Sequence, residues 1–131
     1  MVPKPKILVI DDDFLVLRAI VRVLDGRGYE TTAVDSGVKA IELVKKEDFD
    51  LVMSDIRMPE LDGVETVQII EEHYKNHGKS CAFMFVTAYP DDSRVKKVAG
   101  SGRTRLMLKP FDVEDLLGSI ELELQTHPPA V

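Results

Sequence analysis

The chain has a single cysteine, no excess of positive charge and no apolar run of membrane-spanning length. Cys81 alone cannot close an internal disulfide. It lies inside the apolar run Cys81-Ala82-Phe83-Met84-Phe85-Val86, where a free thiol behaves as a small buried hydrophobe. That usage suits a reducing compartment. Seventeen Lys and Arg against twenty-three Asp and Glu leave a net charge of -6, which argues against a general grip on nucleic acid, because phosphate backbones are held by clustered cations. Four apolar residues, Ile7 to Ile10, separate Lys4-Pro5-Lys6 from Asp11, too few for the core of a signal peptide, and no run is long enough to cross a bilayer. The expectation is a cytoplasmic protein without membrane contact. Internal repeats and low-complexity tracts are absent as well. The 131 residues, 44% of them apolar, can bury a core in one domain, expected over residues 1–126, with 127–131 a tail or the start of a linker.

What is present is a regular alternation. Ile7-Leu8-Val9-Ile10 is a branched apolar run, the mark of a strand covered on both faces, and it stops at Asp11-Asp12-Asp13. Helical spacing follows from Phe14 to Leu24, with Asp13 placed as its N-cap. Tyr29 to Val34 is a more polar strand, expected at an edge, and Ser36-Gly37 opens a helix running to Lys46. Leu51-Val52-Met53 is a third strand. It leads into Ser54-Asp55 and a Pro59/Gly63 loop, after which Val64 to Tyr74 reads as helix. Cys81 to Val86 is the most apolar strand, expected to be central, and ends at Thr87-Ala88. Pro90 suits the first turn of a fourth helix, which Gly100 and Gly102 break. Leu106-Met107-Leu108 ends at Lys109-Pro110, and Asp112 begins a last helix with Val113, Leu116, Leu117, Ile120 and Leu124 on one stripe and Leu122 opposite. Five strands alternating with five helices predict an α/β fold, a doubly wound five-stranded parallel sheet with right-handed crossovers.

In such a sheet all carboxyl ends share one rim, so Asp11, Asp12, Asp55, Thr87 and Lys109 are predicted to converge. Taken singly, each has a bland explanation: a strand-end Asp is commonly a cap, and Lys-Pro commonly marks a loop. Together they have a chemistry. Three carboxylates from two strand ends make a hard oxygen site of the kind Mg²⁺ accepts. Asp55 would attack phosphorus, while the ammonium of Lys109 and the hydroxyl of Thr87 would face the phosphoryl oxygens. His73 and His77, four apart, could share a metal on a helix, but no acid or Cys completes a set, and a solvated helix end is the better reading.

These motifs, Ile7-Leu8-Val9-Ile10-Asp11-Asp12-Asp13, the stretch from Ser54-Asp55 through Met58-Pro59 to Asp62-Gly63, Val86-Thr87-Ala88 and Leu108-Lys109-Pro110-Phe111, resemble the receiver domains of two-component response regulators, from Lys6 to about Leu124. The resemblance implies the flavodoxin-like strand order 2-1-3-4-5. It makes Asp55 the acceptor of a phosphoryl group from a histidine kinase or phosphotransfer partner. Asp12, Asp55 and the backbone carbonyl of Arg57 would hold Mg²⁺ directly, and Asp11 mainly through water. Thr87 would bond a phosphoryl oxygen and move on activation, Lys109 would pair with the phosphate, and the Lys109-Pro110 bond would be cis. The face built from the fourth helix, fifth strand and fifth helix would then recognise a downstream effector or, on phosphorylation, a second copy.

Two positions depart from the family pattern. Leu106 stands where an aromatic commonly rotates inward behind the Thr, and Arg103-Thr104-Arg105 is unusually basic. Two other classes compete. A Mg²⁺-dependent phosphohydrolase with an aspartyl nucleophile would want a further general acid and a cap, and Arg57 stands two residues after Asp55 instead. A phosphorylation-independent adaptor need not retain Asp12, Asp55, Thr87 and Lys109 together. Finally, Arg57 and Tyr89, two residues beyond Asp55 and Thr87, should flank the mouth of the site and could stack across it, slowing hydrolysis.

Overall fold

Each strand is only four to six residues long and is followed by an amphipathic stretch that can cross back over a sheet, a combination that favours parallel strands over buried helices. The computed structural model describes residues 3–99 and 104–126, the side chains of 98 and 99 apart. In chain order the elements are β1 (Lys6–Ile10), α1 (Phe14–Gly26), β2 (Glu30–Val34), α2 (Gly37–Val44), β3 (Leu51–Asp55), α3 (Gly63–Asn76), β4 (Ala82–Thr87), α4 (Ser93–Ala99), β5 (Arg105–Leu108) and α5 (Val113–Thr126). The sheet order is β2-β1-β3-β4-β5 with every neighbouring pair parallel. The chain therefore reverses its direction of travel between β1 and β3, whose carboxyl ends open the crevice in which such sheets hold ligands.

The pleat sorts the strand residues into two cores. Ile7, Val9, Leu51, Met53, Met84 and Val86 pack with Leu17, Ile20 and Leu24 of α1 and with Leu116, Leu117, Ile120 and Leu124 of α5. Leu8, Ile10, Val52, Phe83 and Phe85 point the other way, onto α2, α3 and Val95 of α4. Asp13 caps α1 by accepting from the backbone N of Leu15 and Val16. The polar strand β2 lies at the edge, with Glu30 and Ala33 exposed. No helix among the described residues is long and apolar enough to cross a membrane.

Several expectations needed correction. The second helix ends at Val44 with Lys45 as its cap, because Lys45 and Lys46 are exposed and bring nothing to the core. Pro90 is not in the first turn of α4. It occupies the second position of a tight turn in which Asp92 N donates to Tyr89 O at 3.1 Å, and α4 starts at Ser93. The strand β4 is interior but not central: β3 holds the middle, and since both are wholly covered, apolarity alone does not separate them. Val113 is 44% exposed, because the first turn of α5 lies ahead of the point where the helix meets the sheet. Arg103, the breakers Gly100 and Gly102, and residues 127–131 lie outside the described residues.

Candidate functional site

Asp55 is the last residue of β3, and the local chain is built to present it. Ser54, fully buried, turns its hydroxyl to donate to Asp55 O at 2.8 Å. Ile56 N donates to Asp55 Oδ1 at 2.7 Å, which fixes the carboxylate and leaves Oδ2 facing Lys109 Nζ at 3.1 Å. The loop then folds tightly back. Gly63 N donates to Ile56 O at 2.8 Å, and a Cβ on Gly63 would fall against the carbonyl oxygen of Asp55, so only glycine fits there. Glu60 in the same loop takes φ 67°, a left-handed conformation uncommon for a residue with a Cβ. Asp62 caps α3 through a reciprocal box: it accepts from Glu65 N at 2.9 Å while Glu65 Oε1 accepts from Asp62 N at 3.3 Å.

Asp11 follows β1 and is buried. Its Oδ1 accepts from Asp13 N at 2.9 Å, and its Oδ2 accepts from Lys109 Nζ at 2.7 Å. Asp12 is exposed beside it. One carboxylate oxygen from each of Asp11, Asp12 and Asp55 lies within 4.8 Å of the others, a hard, oxygen-only set that fits Mg²⁺ with retained waters. Lys109, after β5, donates its backbone N to Thr87 O at 2.8 Å, and the Lys109-Pro110 bond is cis. Thr87 ends β4 with its side chain buried, its Oγ1 accepting from Tyr89 N at 3.1 Å.

The charges at this rim are unequal in cost. Burial, reinforced by the neighbouring Asp11, pushes the Asp55 carboxyl above the ordinary carboxylate range, with Lys109 offsetting part of the rise. Burial works against the charge of Lys109 too. The hydrogen bond to Asp11 and the negative charge of Asp55 outweigh it and hold the ammonium above its usual value. Two acids share one cation, so the arrangement has capacity for one more positive charge.

A cavity of about 490 Å³ opens over Asp55, lined by Asp12, Arg57, Met58, Tyr89, Arg94 and Lys109 among others. A larger groove of about 670 Å³ between α1 and β2 is lined by none of the rim residues, its acids being the remote Asp25 and Asp35. The guanidinium of Arg57 sits 4.0 Å from the Tyr89 ring centroid, stacked as the spacing suggested, with its Nε 3.8 Å from Asp92 Oδ2. Asp92 is gripped by Arg94 through two side-chain bonds, Nε to Oδ1 at 2.8 Å and Nη2 to Oδ2 at 2.6 Å. Arg94 Nη1 also reaches Asp62 Oδ2 at 3.5 Å. The Arg94 hydrogen bonds hold the Asp92 carboxyl down to about 2.

All the predicted site residues thus meet on one rim. Sequence reasoning missed the supports. Asp62 and Glu65 have capping-box spacing and could have been recognised. The Asp92–Arg94–Asp62 cluster spans two loops and left no pattern in the chain. Leu122 is exposed as expected, while its neighbour Glu123 is 8% exposed and accepts from Arg105 Nε at 2.9 Å. His77 ends α3 with its Nδ1 2.7 Å from His73 O, the helix-end arrangement, and the two histidines join no metal-binding group among the described residues.

A doubly wound parallel sheet with an acid cluster and a lysine at its switch point defines a class, the flavodoxin-like switch-point domains that bind at the carboxyl rim. The family model for the response regulator receiver domain matches residues 7–121, and the chain belongs to that family. It is 36% identical over 110 residues to the transcriptional regulatory protein ZraR of Klebsiella oxytoca, a match that takes in 84% of this chain and 24% of that protein. The response regulator receiver protein CpdR of Brucella abortus (strain 2308) is 31% identical over 116 residues, 88% of this chain and 93% of CpdR. The chain thus spans about a quarter of the length of ZraR and nearly all of CpdR. In fold it superposes on a CheY-like response regulator receiver domain protein from Methanospirillum hungatei JF-1 with a TM-score of 0.86, at 23% identity and over 95% and 97% of the two chains.

Proposed function

We propose that Asp55 is the phosphoacceptor of a two-component signalling switch. The observation that carries this reading is the Asp55 carboxylate at the end of β3, held on one oxygen by Ile56 N and faced on the other by Lys109. A phosphohistidine on a partner kinase or phosphotransfer protein is the donor. An Asp55 oxygen bonds to phosphorus as the phosphorus–nitrogen bond breaks, and the electron pair returns to the imidazole, which takes a proton from solvent. Asp12, Asp55 and the Arg57 carbonyl, with Asp11 through water, would hold Mg²⁺. When bound, the ion supplies positive charge against the phosphoryl oxygens. Lys109 is free to follow the charge from Asp55 to the phosphoryl group because Asp11 keeps it at the rim. Thr87 has a hydroxyl proton to give to a phosphoryl oxygen, and Tyr89 N would lose its present acceptor as that hydroxyl turns.

That turn reaches α4 through Ala88 and Tyr89, and β5 through the Thr87–Leu108 pairing. The face of α4, β5 and α5 is the output surface. It carries exposed Leu108 and Leu122, fitted to an effector or to a second copy of this chain. With Leu106 half-buried against the core on the α4 side, the switch acts without a rotating ring. Its reach is limited by how much better the phosphoryl group is held in one state than in the other.

The test is direct. Incubated with acetyl phosphate and Mg²⁺, the intact protein gains the mass of one phosphate, whereas Asp55→Asn or metal chelation abolishes the gain. A phosphate on Asp55→Asn refutes the assignment.

A further inference from the structure

The geometry points to Asp92, braced by Arg94, as a positioning residue that holds Arg57 across the mouth of the phosphoryl site and so prolongs the life of the phosphoryl group. This rests on the phosphoacceptor reading of Asp55. Arg57 comes from the β3–α3 loop and Tyr89 from the β4–α4 loop, and their stack bridges the two above the cavity that contains Asp55. Nothing in the stack itself fixes where the guanidinium lies, because Arg57 has half its side chain exposed and its long stem is free to swing. The charge that fixes it is Asp92, 3.8 Å from Arg57 Nε with only 10% of its side chain exposed.

Asp92 is itself immobilised. It accepts from Arg94 N at 3.0 Å and from the Arg94 fork at 2.8 and 2.6 Å, and the same guanidinium reaches Asp62 Oδ2 at 3.5 Å. Asp62 is the α3 cap, so the brace runs from the N-terminus of α4 to the N-terminus of α3 and spans both loops that carry the stack. A bidentate Arg–carboxylate fork is directional, which a Lys at 94 would not reproduce.

The consequence lies in hydrolysis. A water oxygen must bond to phosphorus from the solvent side as the bond to Asp55 breaks. Inorganic phosphate leaves, the water proton passes to phosphate or solvent, and the Asp55 carboxylate is restored. That approach is what the Arg57–Tyr89 stack covers, and neither side chain is a base that would activate the water at neutral pH. Releasing Arg57 from Asp92 uncovers the approach for a larger fraction of the time.

The experiment follows phosphate loss by intact mass after the acetyl phosphate is removed, at equal Mg²⁺, for wild type, Asp92→Asn, Arg94→Lys, Arg57→Ala and the Asp92→Asn, Arg57→Ala pair. Asp92→Asn keeps the shape and the cap to Arg94 N but removes the charge, and it is expected to lose phosphate roughly two- to fivefold faster, the range over which a partly exposed ion pair shifts an equilibrium. Arg94→Lys should fall between it and wild type. The decisive readout is epistasis: with Arg57 gone, Asp92→Asn should add nothing, whereas a merely structural role would add its full effect. Unchanged or slower decay in Asp92→Asn, or full additivity in the pair, overturns the proposal while leaving Asp55 as acceptor. Absence of phosphate from wild-type Asp55 overturns both. Should Asp92→Asn unfold by circular dichroism, Asp92→Ser, which keeps a capping oxygen for Arg94 N but not the charge, carries the same test: faster decay is expected, and unchanged decay overturns the proposal.

Discussion

Asp55 has chemistry that works against its own fold. Buried beside Asp11, its carboxyl is raised above the ordinary range, so the folded chain binds its proton more tightly than the unfolded chain does. The stabilising contribution is therefore fully present below the unfolded value of about 4 and is lost as the pH rises through the raised folded value. Metal-free Asp55→Asn is expected to melt a few degrees above wild type at pH 7, where about 1 kcal/mol corresponds to roughly 3–5 °C for a chain of this size. The difference should vanish below about pH 4. Thermal scans across pH check this, and an Asp55→Asn that melts lower at pH 7 would contradict the account. The same position accepts the phosphoryl group in the proposed function, so strain and reactivity share one side chain.

At the scale of elements, the β3–α3 connection is closed by a close backbone approach at Gly63. Gly63 packs its backbone onto Asp55 and Ile56, with Ile56 Cα 3.0 Å from where a Cβ would stand. These neighbours are main-chain atoms and cannot rotate away. Gly63→Ala is expected to cost about 2–3 kcal/mol in chemical unfolding and to displace Asp55. Gly26 has open space at the corresponding point, so Gly26→Ala serves as the control with little loss. The helix N-termini follow the same logic. Asp13, Ser36 and Asp62 each accept a backbone N–H that the first turn leaves unpaired, a contribution of about 1 kcal/mol apiece.

For the whole molecule, the Mg²⁺ proposed at the rim would couple ion binding to folding. Three acids and one lysine leave the site short of positive charge, and an ion that binds only the folded chain stabilises it by mass action. At Mg²⁺ a hundredfold above its dissociation constant the gain is about 2.7 kcal/mol, so chelation should lower the melting temperature by several degrees. Asp12→Ala should abolish most of that metal-dependent shift while barely altering the metal-free midpoint, since Asp12 is exposed. A Mg²⁺ response undiminished in Asp12→Ala would move the ion away from this rim.

The sequence by itself determined the alternation of strands and helices, and with it the rim. Branched runs such as Ile7 to Ile10 and Leu51 to Met53 are local signals, and the residue that ends each strand is adjacent to its run in the chain. Parallel pairing then brings Asp11, Asp12, Asp55, Thr87 and Lys109 together whatever the details of packing. The strand order came only through the family resemblance. Tertiary structure alone decided what depends on two distant segments meeting. Periodicity placed Val113 on the inner stripe of α5, but where α5 reaches the sheet left it exposed, and Glu123 turned inward because Arg105 of the edge strand lies there. The apolar pattern of β4 matched that of β3, since both are covered on two faces, so which is central was settled by pairing. The Asp92–Arg94–Asp62 brace is the clearest case. Asp62 lies some thirty residues before Asp92 and Arg94 in the chain, each is an ordinary exposed-looking polar residue in sequence, and only the approach of two loops at the carboxyl rim turns them into one charge network over Asp55.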